Sequence, residues 1–305
     1  MADKLLSISR RTRKTPFTPL VEAAGVKGYT VYNHMLLPTF FDSNESDYWS
    51  LCQDVQVWDV SCERQIEVSG PDSERLIQLM TPRDISKAVI GQGLYAPLCD
   101  ENGLLINDPI LIKFAPDNWW VSIADSDVRL WARGLAFGLG LDVQIREAAI
   151  WPLAVQGPKA ALLIAQLFGD WIHELKYFWF RETILQGIPL VLARSGWSKQ
   201  GGFELYLRDS AYGSQLWDLV REAGHAYDIG PGAPNDAERL ESGLLSYGAD
   251  ARAQTFPANP FELGLGKLVD LDGPDDFIGK QALLEIRANG VKRRLTGFIL
   301  SLIHI

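Results

Sequence analysis

Val155-Gln156-Gly157-Pro158-Lys159-Ala160, leading into an apolar run over 161–168, reads as a strand end, a Gly-Pro turn and a helix start. The same arrangement stands earlier as Val68-Ser69-Gly70-Pro71-Asp72-Ser73, leading into 74–80. Glycine supplies the turn, and proline at the first helical position costs nothing because its missing N–H has no intrahelical acceptor to lose. The likeness continues downstream. Residues 104–114 and 119–123 correspond to 183–193 and 203–207 as strand pairs, and helices are expected over 126–137 and 211–223. Two β-α-β-β-α modules stacked on each other follow, which is an α+β class rather than a Rossmann fold.

Asn102-Gly103 is the strongest short hairpin signal, joining 94–98 to 104–114. It places Asn107 and Asp108 on a strand that Pro109 interrupts or confines to an edge, since proline donates nothing to a ladder. A carboxylate at such a break can face a ligand, and an Asp that merely caps the turn fits the same local pattern. A further helix is expected over 235–245, led by Pro234 and carrying Arg239 and Glu241. Phe277-Ile278-Gly279-Lys280 opens a last helix through Arg287. Residues 292–300 read as one fresh strand, and Ser301-Leu302-Ile303-His304-Ile305 then stops without a partner, cap or polar tail, so a missing C-terminal domain or an incomplete reading frame is expected.

At 305 residues the chain is long enough for two or three packed modules. A hydrophobic content of 47% and a charged content of 22% belong to a soluble globular protein. The formal net charge of -9 argues against nucleic acid as the main partner, because phosphate binding needs concentrated positive surface. Arg10, Arg11, Arg13 and Lys14 form a local basic run that fits either a grip on an anionic tail or a solvated arm. No signal-peptide pattern or membrane-length apolar stretch is present in the sequence, so a cytoplasmic location and no membrane partner are expected. Cys52, Cys62 and Cys99 are odd in number and read as free or buried thiols.

The chemistry concentrates in Arg194-Ser195-Gly196-Trp197-Ser198-Lys199-Gln200-Gly201-Gly202-Phe203-Glu204-Leu205-Tyr206. Alternation over 203–207 puts Glu204 and Tyr206 on one face of a strand and Phe203 and Leu205 on the other. Glycines before that strand suit a loop curling over a flat heterocycle, although an ordinary hairpin loop has the same pattern. Metal chelation finds no support, since the four histidines are scattered and no Cys pair has chelating spacing. Gly196-Trp197-Ser198-Lys199-Gln200 misses the nucleophile elbow at its last position, and Gly264-Leu265-Gly266-Lys267 lacks the rest of a phosphate loop. Asp108, Glu204 and Arg239 remain, with Tyr32, Tyr95, Phe178, Trp197 and Tyr206. They suit a heteroaromatic ligand and a cation, which an aromatic face attracts by roughly 0.5 to 2 kcal/mol.

These residues resemble the tetrahydrofolate-dependent aminomethyltransferase family, whose founding member is the glycine-cleavage T-protein. The carriers are the duplicated V-x-G-P units, Asn107-Asp108, Gly-Gly-Phe-Glu before Leu205, Arg239-Leu240-Glu241, and Phe277-Ile278-Gly279-Lys280-Gln281-Ala282-Leu283. Within it, Arg10-Arg11-Thr12-Arg13-Lys14-Thr15-Pro16-Phe17-Thr18, Tyr32-Asn33-His34-Met35-Leu36-Leu37-Pro38, Val55-Gln56-Val57-Trp58-Asp59-Val60 and residues 194–204 are similar to the demethylase branch that acts on dimethylsulfoniopropionate. The resemblance implies two related ferredoxin-like or T-protein lobes around a central folate channel. They would span 1–285, as roughly 1–50 with 148–240, and 51–147. A C-terminal β-barrel, mostly missing, would begin at 286–305.

The implied reaction is methyl transfer from a small-molecule sulfonium to tetrahydrofolate. Asp108 would be catalytic, Trp197, Tyr206 and Tyr32 would hold the sulfonium, and Glu204, Tyr95, Ser122, Phe178 and Arg239 would contact the folate, with no metal. Two other family activities stay open: glycine-cleavage aminomethyl transfer from a lipoylated carrier, against which Trp197, Lys199 and Gln200 speak, and non-enzymatic folate binding in iron–sulfur assembly, whose Lys-Gly-Cys-Tyr-x-Gly-Gln-Glu segment is absent from this sequence.

Overall fold

Gly157 ends the strand Trp151–Gln156 with a φ of 130°. In the computed structural model, which describes residues 9–300, a Cβ there would meet the carbonyl oxygen of Asp54 at under 3.0 Å. Only glycine permits that approach. Gly70 does the same after Gln65–Ser69, with φ 121° and the Asp142 carbonyl as its close neighbour. Two residues on, the chain donates back to the same acceptor: the Lys159 N–H to Asp54 at 3.2 Å, and the Asp72 N–H to Asp142 at 3.3 Å. The expected repeat is therefore present down to single hydrogen bonds. Its prolines sit differently, because Pro71 and Pro158 precede the helix N-caps Asp72 and Lys159. The turn closes first, through Ser73 N–H to Gly70 and Ala160 N–H to Gly157, and the helices Ser73–Met80 and Ala160–Phe168 begin only after it.

Two compact units result, residues up to Arg64 with Ala149–Asp236, and Gln65–Ala148 with the remainder from Ala237. In the first, six strands run in the order Phe180–Leu185, Ile188–Ala193, Gly202–Leu207, Trp151–Gln156, Val55–Asp59, Ile229–Gly232. All neighbours are antiparallel except the last pair. The helices Ala160–Phe168 and Gly213–Gly224 cover one face, burying Leu163, Ile164, Leu216 and Val220 against Val57, Leu153, Val155, Phe203 and Leu205. The boundary expected near residue 50 falls at Arg64 because Val55–Asp59 pairs with Trp151–Gln156, Val57 opposite Val155.

The second unit has five antiparallel strands in the order Gln144–Glu147, Gln65–Ser69, Asn118–Ser122, Ile110–Ala115, Gly93–Tyr95. The helices Ser73–Met80 and Val128–Leu139 cover it through Leu76, Ile77, Met80, Val128 and Ala132. The Asn102-Gly103 turn forms as expected, Gly103 taking φ 72° and Asp100 Oδ1 accepting from the N–H groups of Asn102 and Leu104.

Three expectations change in detail. Residues 183–193 are not one strand, since Gln186 and Gly187 adopt φ 46° and 86° and turn Phe180–Leu185 back onto Ile188–Ala193. Asp108 lies between the strands Leu105–Asn107 and Ile110–Ala115, with Pro109 enforcing the break. Residues 292–300 form no strand. Arg293 ion-pairs with Glu262 at 2.9 Å and the Leu295 N–H donates to the Glu262 carbonyl at 2.8 Å, but no ladder partner exists among the described residues, and Phe298 and Ile299 are exposed. The β-barrel expectation thus has no strand behind it in this segment, and the reading of 301–305, His304 included, lies outside the described residues. No described helix is long and apolar enough to cross a membrane.

Candidate active site

The strand Gly202–Leu207 divides its side chains as its alternation requires. Phe203, Leu205 and Leu207 enter the core, and Glu204 and Tyr206 emerge together on the opposite face. Both are buried, Glu204 at 7% exposure and Tyr206 at 2%. The Tyr206 hydroxyl donates to Glu204 Oε2 at 3.1 Å, and the Ser195 hydroxyl donates to the same oxygen. Burial raises the Glu204 pKa, and the two donors oppose that rise by favouring the carboxylate. Both bonds fall on Oε2. Tyr177 is about half exposed, yet the protein around its hydroxyl and then the Glu204 charge raise its pKa, and that hydroxyl donates to the Gly196 carbonyl at 3.3 Å. The loop preceding the strand is thus gathered around the carboxylate.

Trp197 is half-buried on that loop, and Ser198 is buried beside it. Phe178 takes the left-handed conformation, φ 61°, its N–H donates to the Arg194 carbonyl at 2.8 Å, and its ring lies 4.3 Å from that of Tyr177. Tyr32 sits on the separate hairpin Gly28–Tyr32 with Met35–Phe40, at the Asn33-His34 turn whose residues both have positive φ. The first unit therefore brings Ser195, Glu204 and Tyr206 into direct contact, while Trp197 and Phe178 lie on loops and Tyr32 ends a strand of a separate hairpin.

In the second unit the Tyr95 hydroxyl donates to Asp108 Oδ2 at 2.9 Å. Asn107 fixes the break beside it. Its amide nitrogen donates to the Ala124 carbonyl at 3.0 Å and to Ser126 Oγ at 2.8 Å, and its oxygen accepts from the Ala124 N–H at 3.1 Å. Asp108 keeps some accessible surface, yet the protein packed around its carboxyl pushes its pKa up to about 7. The Tyr95 hydrogen bond resists this shift, and the charge of Asp250 adds a little to it. Burial, then the Asp108 charge, raises the Tyr95 pKa in turn. Ser122 is buried and accepts from Gln65 Nε2 at 2.8 Å. Arg239, on the helix Asp236–Ser242, is buried and pairs with Asp250 at 2.7 Å. Of the residues expected here, Tyr95 and Asp108 are joined directly, whereas Arg239 and Ser122 hold Asp250 and Gln65.

Sequence reasoning missed Ser195, Tyr177 and Asp250 as members of these clusters. Ser195 lies in the stretch already singled out, so its nearness to Glu204 was the available signal. A separate, mostly apolar groove of about 470 Å³ in the second unit, lined by Leu79, Leu135, Leu139, Phe277 and Ile278 with Asp276 beside them, contains none of the expected site residues.

Residues 17–273 match the family described as the GCVT N-terminal domain. The chain belongs to this family. It is 48% identical over 292 residues to the dimethylsulfoniopropionate demethylase of Ruegeria pomeroyi, covering 96% of this chain and 79% of that protein. An aminomethyltransferase of Herpetosiphon aurantiacus is 37% identical over 245 residues, 79% of this chain and 66% of that one. Among solved structures, the glycine cleavage system aminomethyltransferase T from Bartonella henselae superposes with a TM-score of 0.79 at 24% identity, over 91% of this chain and 75% of that one. That likeness establishes the fold, and the mixed α+β class expected from the sequence agrees with it.

Proposed function

We propose that this protein transfers a methyl group from dimethylsulfoniopropionate to N5 of tetrahydrofolate, giving methylmercaptopropionate and 5-methyltetrahydrofolate. The observation that carries the reading is the 48% identity, over nearly the whole chain, to a demethylase of that substrate. The donor set supports it. Glu204, buried with both its protein donors on Oε2, presents an acceptor suited to a pterin N–H edge. Tetrahydrofolate enters as the acceptor substrate, and a central folate channel remains part of the proposal as an implication of family membership.

The chemistry asks little of the protein beyond placement. The methyl–sulfur bond breaks with its electrons returning to sulfur, so a neutral thioether leaves, and the N5 lone pair forms the new bond while the N5 proton passes to a base. No covalent enzyme nucleophile is required, and catalysis rests on in-line positioning and exclusion of water. Trp197, the Tyr206 ring and Tyr32 are assigned to the sulfonium. Glu204 is assigned to the pterin, with Tyr95, Ser122, Phe178 and Arg239 as further folate contacts. Asp108, whose pKa of about 7 suits a proton acceptor near neutrality, is assigned either to that proton or to orienting N5.

Purified protein incubated with tetrahydrofolate and dimethylsulfoniopropionate should form 5-methyltetrahydrofolate, with glycine betaine giving none. Turnover only with a lipoylated carrier protein would replace this reading with aminomethyl transfer.

A further inference from the structure

Gln156 is fully buried at the end of Trp151–Gln156, on the sheet face that also carries Glu204, since Ala154 lies opposite Glu204 and Gln156 opposite Gly202. Its side chain reaches across the neighbouring strand to the loop before it. Nε2 donates to the Ser195 carbonyl at 3.1 Å, and Oε1 accepts from Ser198 Oγ at 2.9 Å. The amide lies flat against Gly196 and Gly202, where a Cβ on either would meet it at under 3.0 Å. Beside it the Gly157 N–H donates to the Gly201 carbonyl at 2.9 Å, tying the base of the same loop. Both polar ends of the amide are therefore used on the two residues that flank Gly196 and Trp197, and two glycines make room for it.

We propose that Gln156 is a positioning residue that clamps the loop of residues 195–202, thereby fixing Trp197 against the sulfonium and Ser195 against Glu204. The role in the reaction rests on the methyl-transfer reading above, whereas the clamp itself does not. A loop held in one conformation offers its aromatic side chain at full occupancy. A loop released into several lowers apparent affinity by the fraction of time spent away from the binding geometry. Substrate binding should suffer more than the chemical step, because the clamp acts on the loop that carries Trp197, whereas Asp108 lies on a different segment and is bonded by Tyr95.

The test uses Gln156→Ala and the milder Ser198→Ala, which removes one of the two hydrogen bonds. Hydrogen exchange read on the peptide spanning 195–202 should quicken by about tenfold in Gln156→Ala and less in Ser198→Ala, with the core strands of the same unit unchanged. KM for the sulfonium should rise about tenfold while kcat stays within about threefold of the parent. Unchanged exchange in this peptide overturns the clamp whatever the substrate proves to be. Faster exchange with wild-type KM overturns the role in substrate binding. An unsubstituted protein that makes no product from the sulfonium overturns the methyl-transfer reading and the substrate role with it, and exchange alone still decides the clamp. Should Gln156→Ala fail to fold, Ser198→Ala carries both readouts.

Discussion

Tyr206 donates its hydroxyl to Glu204 Oε2 at 3.1 Å from two positions along the same strand, and Ser195 supplies a second donor to that oxygen from the loop. A buried carboxylate that keeps two donors is oriented as well as stabilised. Its charge matters to any ligand that offers an N–H.

Ser195→Ala removes one charge-assisted hydrogen bond from a carboxylate whose pKa burial already raises, so the pKa should climb further. Loss of such a bond costs about 1.5 to 3 kcal/mol. Tetrahydrofolate affinity, measured by calorimetry at neutral pH, should weaken by about tenfold or more, because the carboxylate loses one of the two donors that orient it. Equal affinity in both proteins would remove Glu204 from the folate contacts.

Asp108 has a folded pKa of about 7, above the usual carboxylate value of about 4. If it accepts the N5 proton, kcat/KM should rise with pH through about 7 and level off above it. Asp108→Asn should lower the rate by about a hundredfold or more and abolish that limb of the profile. The linkage has the opposite sign for stability. Between about pH 4 and 7 the native state binds the proton more tightly than the unfolded chain does, so this group's contribution declines as pH rises across that window and stays low above it. Asp108→Asn, which still accepts from Tyr95, should therefore melt no lower than the parent at pH of about 8 despite its lost activity. A pH-independent rate in the parent would leave Asp108 an orienting group.

Much of this arrangement was readable in advance, and the unread part has one physical cause. The Gly-Pro turns, the Asn102-Gly103 hairpin and the alternation that puts Glu204 beside Tyr206 are local patterns, dictated by φ preferences and a two-residue repeat. Contacts such as Arg239 with Asp250, or Gln156 with Ser195 and Ser198, depend on which segments lie side by side, and no periodicity encodes that. Residues 292–300 illustrate the converse: a segment that ends on the apolar run Phe298-Ile299-Leu300 forms a strand only where a ladder partner is available, and the described residues supply none. Of the contacts around Glu204, the one to Tyr206 two residues along the strand was legible and the one from Ser195 on the loop was not.

Arg239 and Asp250 form a buried pair, their side chains 7% and 15% exposed, and Asp250 also accepts from the Ser246 N–H at 2.9 Å. Removing one partner of such a pair strands the other charge, at about 3 to 5 kcal/mol. Arg239→Ala should thus lower the melting temperature by several degrees or more. Retained tetrahydrofolate affinity in the surviving fold, within about threefold, would make Arg239 a structural residue, whereas a loss well beyond the change in folded fraction would support its place among the folate contacts.

Gly70 and Gly157 offer a test of the repeat itself. Each combines a φ that L side chains rarely adopt, 121° and 130°, with a carbonyl oxygen under 3.0 Å from where a Cβ would stand. Neither obstacle can relax alone, since the carbonyl belongs to backbone at the start of a paired strand, Asp142 before Gln144–Glu147 and Asp54 before Val55–Asp59. Alanine at either site should therefore destabilise by at least about 2 kcal/mol, through left-handed strain and a forced shift of the neighbouring strand. Gly140→Ala makes the control: it also has positive φ, 63°, but nothing lies within 4 Å of its Cβ position, so its cost should be smaller, about 1 kcal/mol. Chemical denaturation of the three variants decides the matter. Equal losses at Gly70, Gly157 and Gly140 would mean that φ alone sets the requirement for glycine, and that the close carbonyl, which the two units share, adds nothing to their stability.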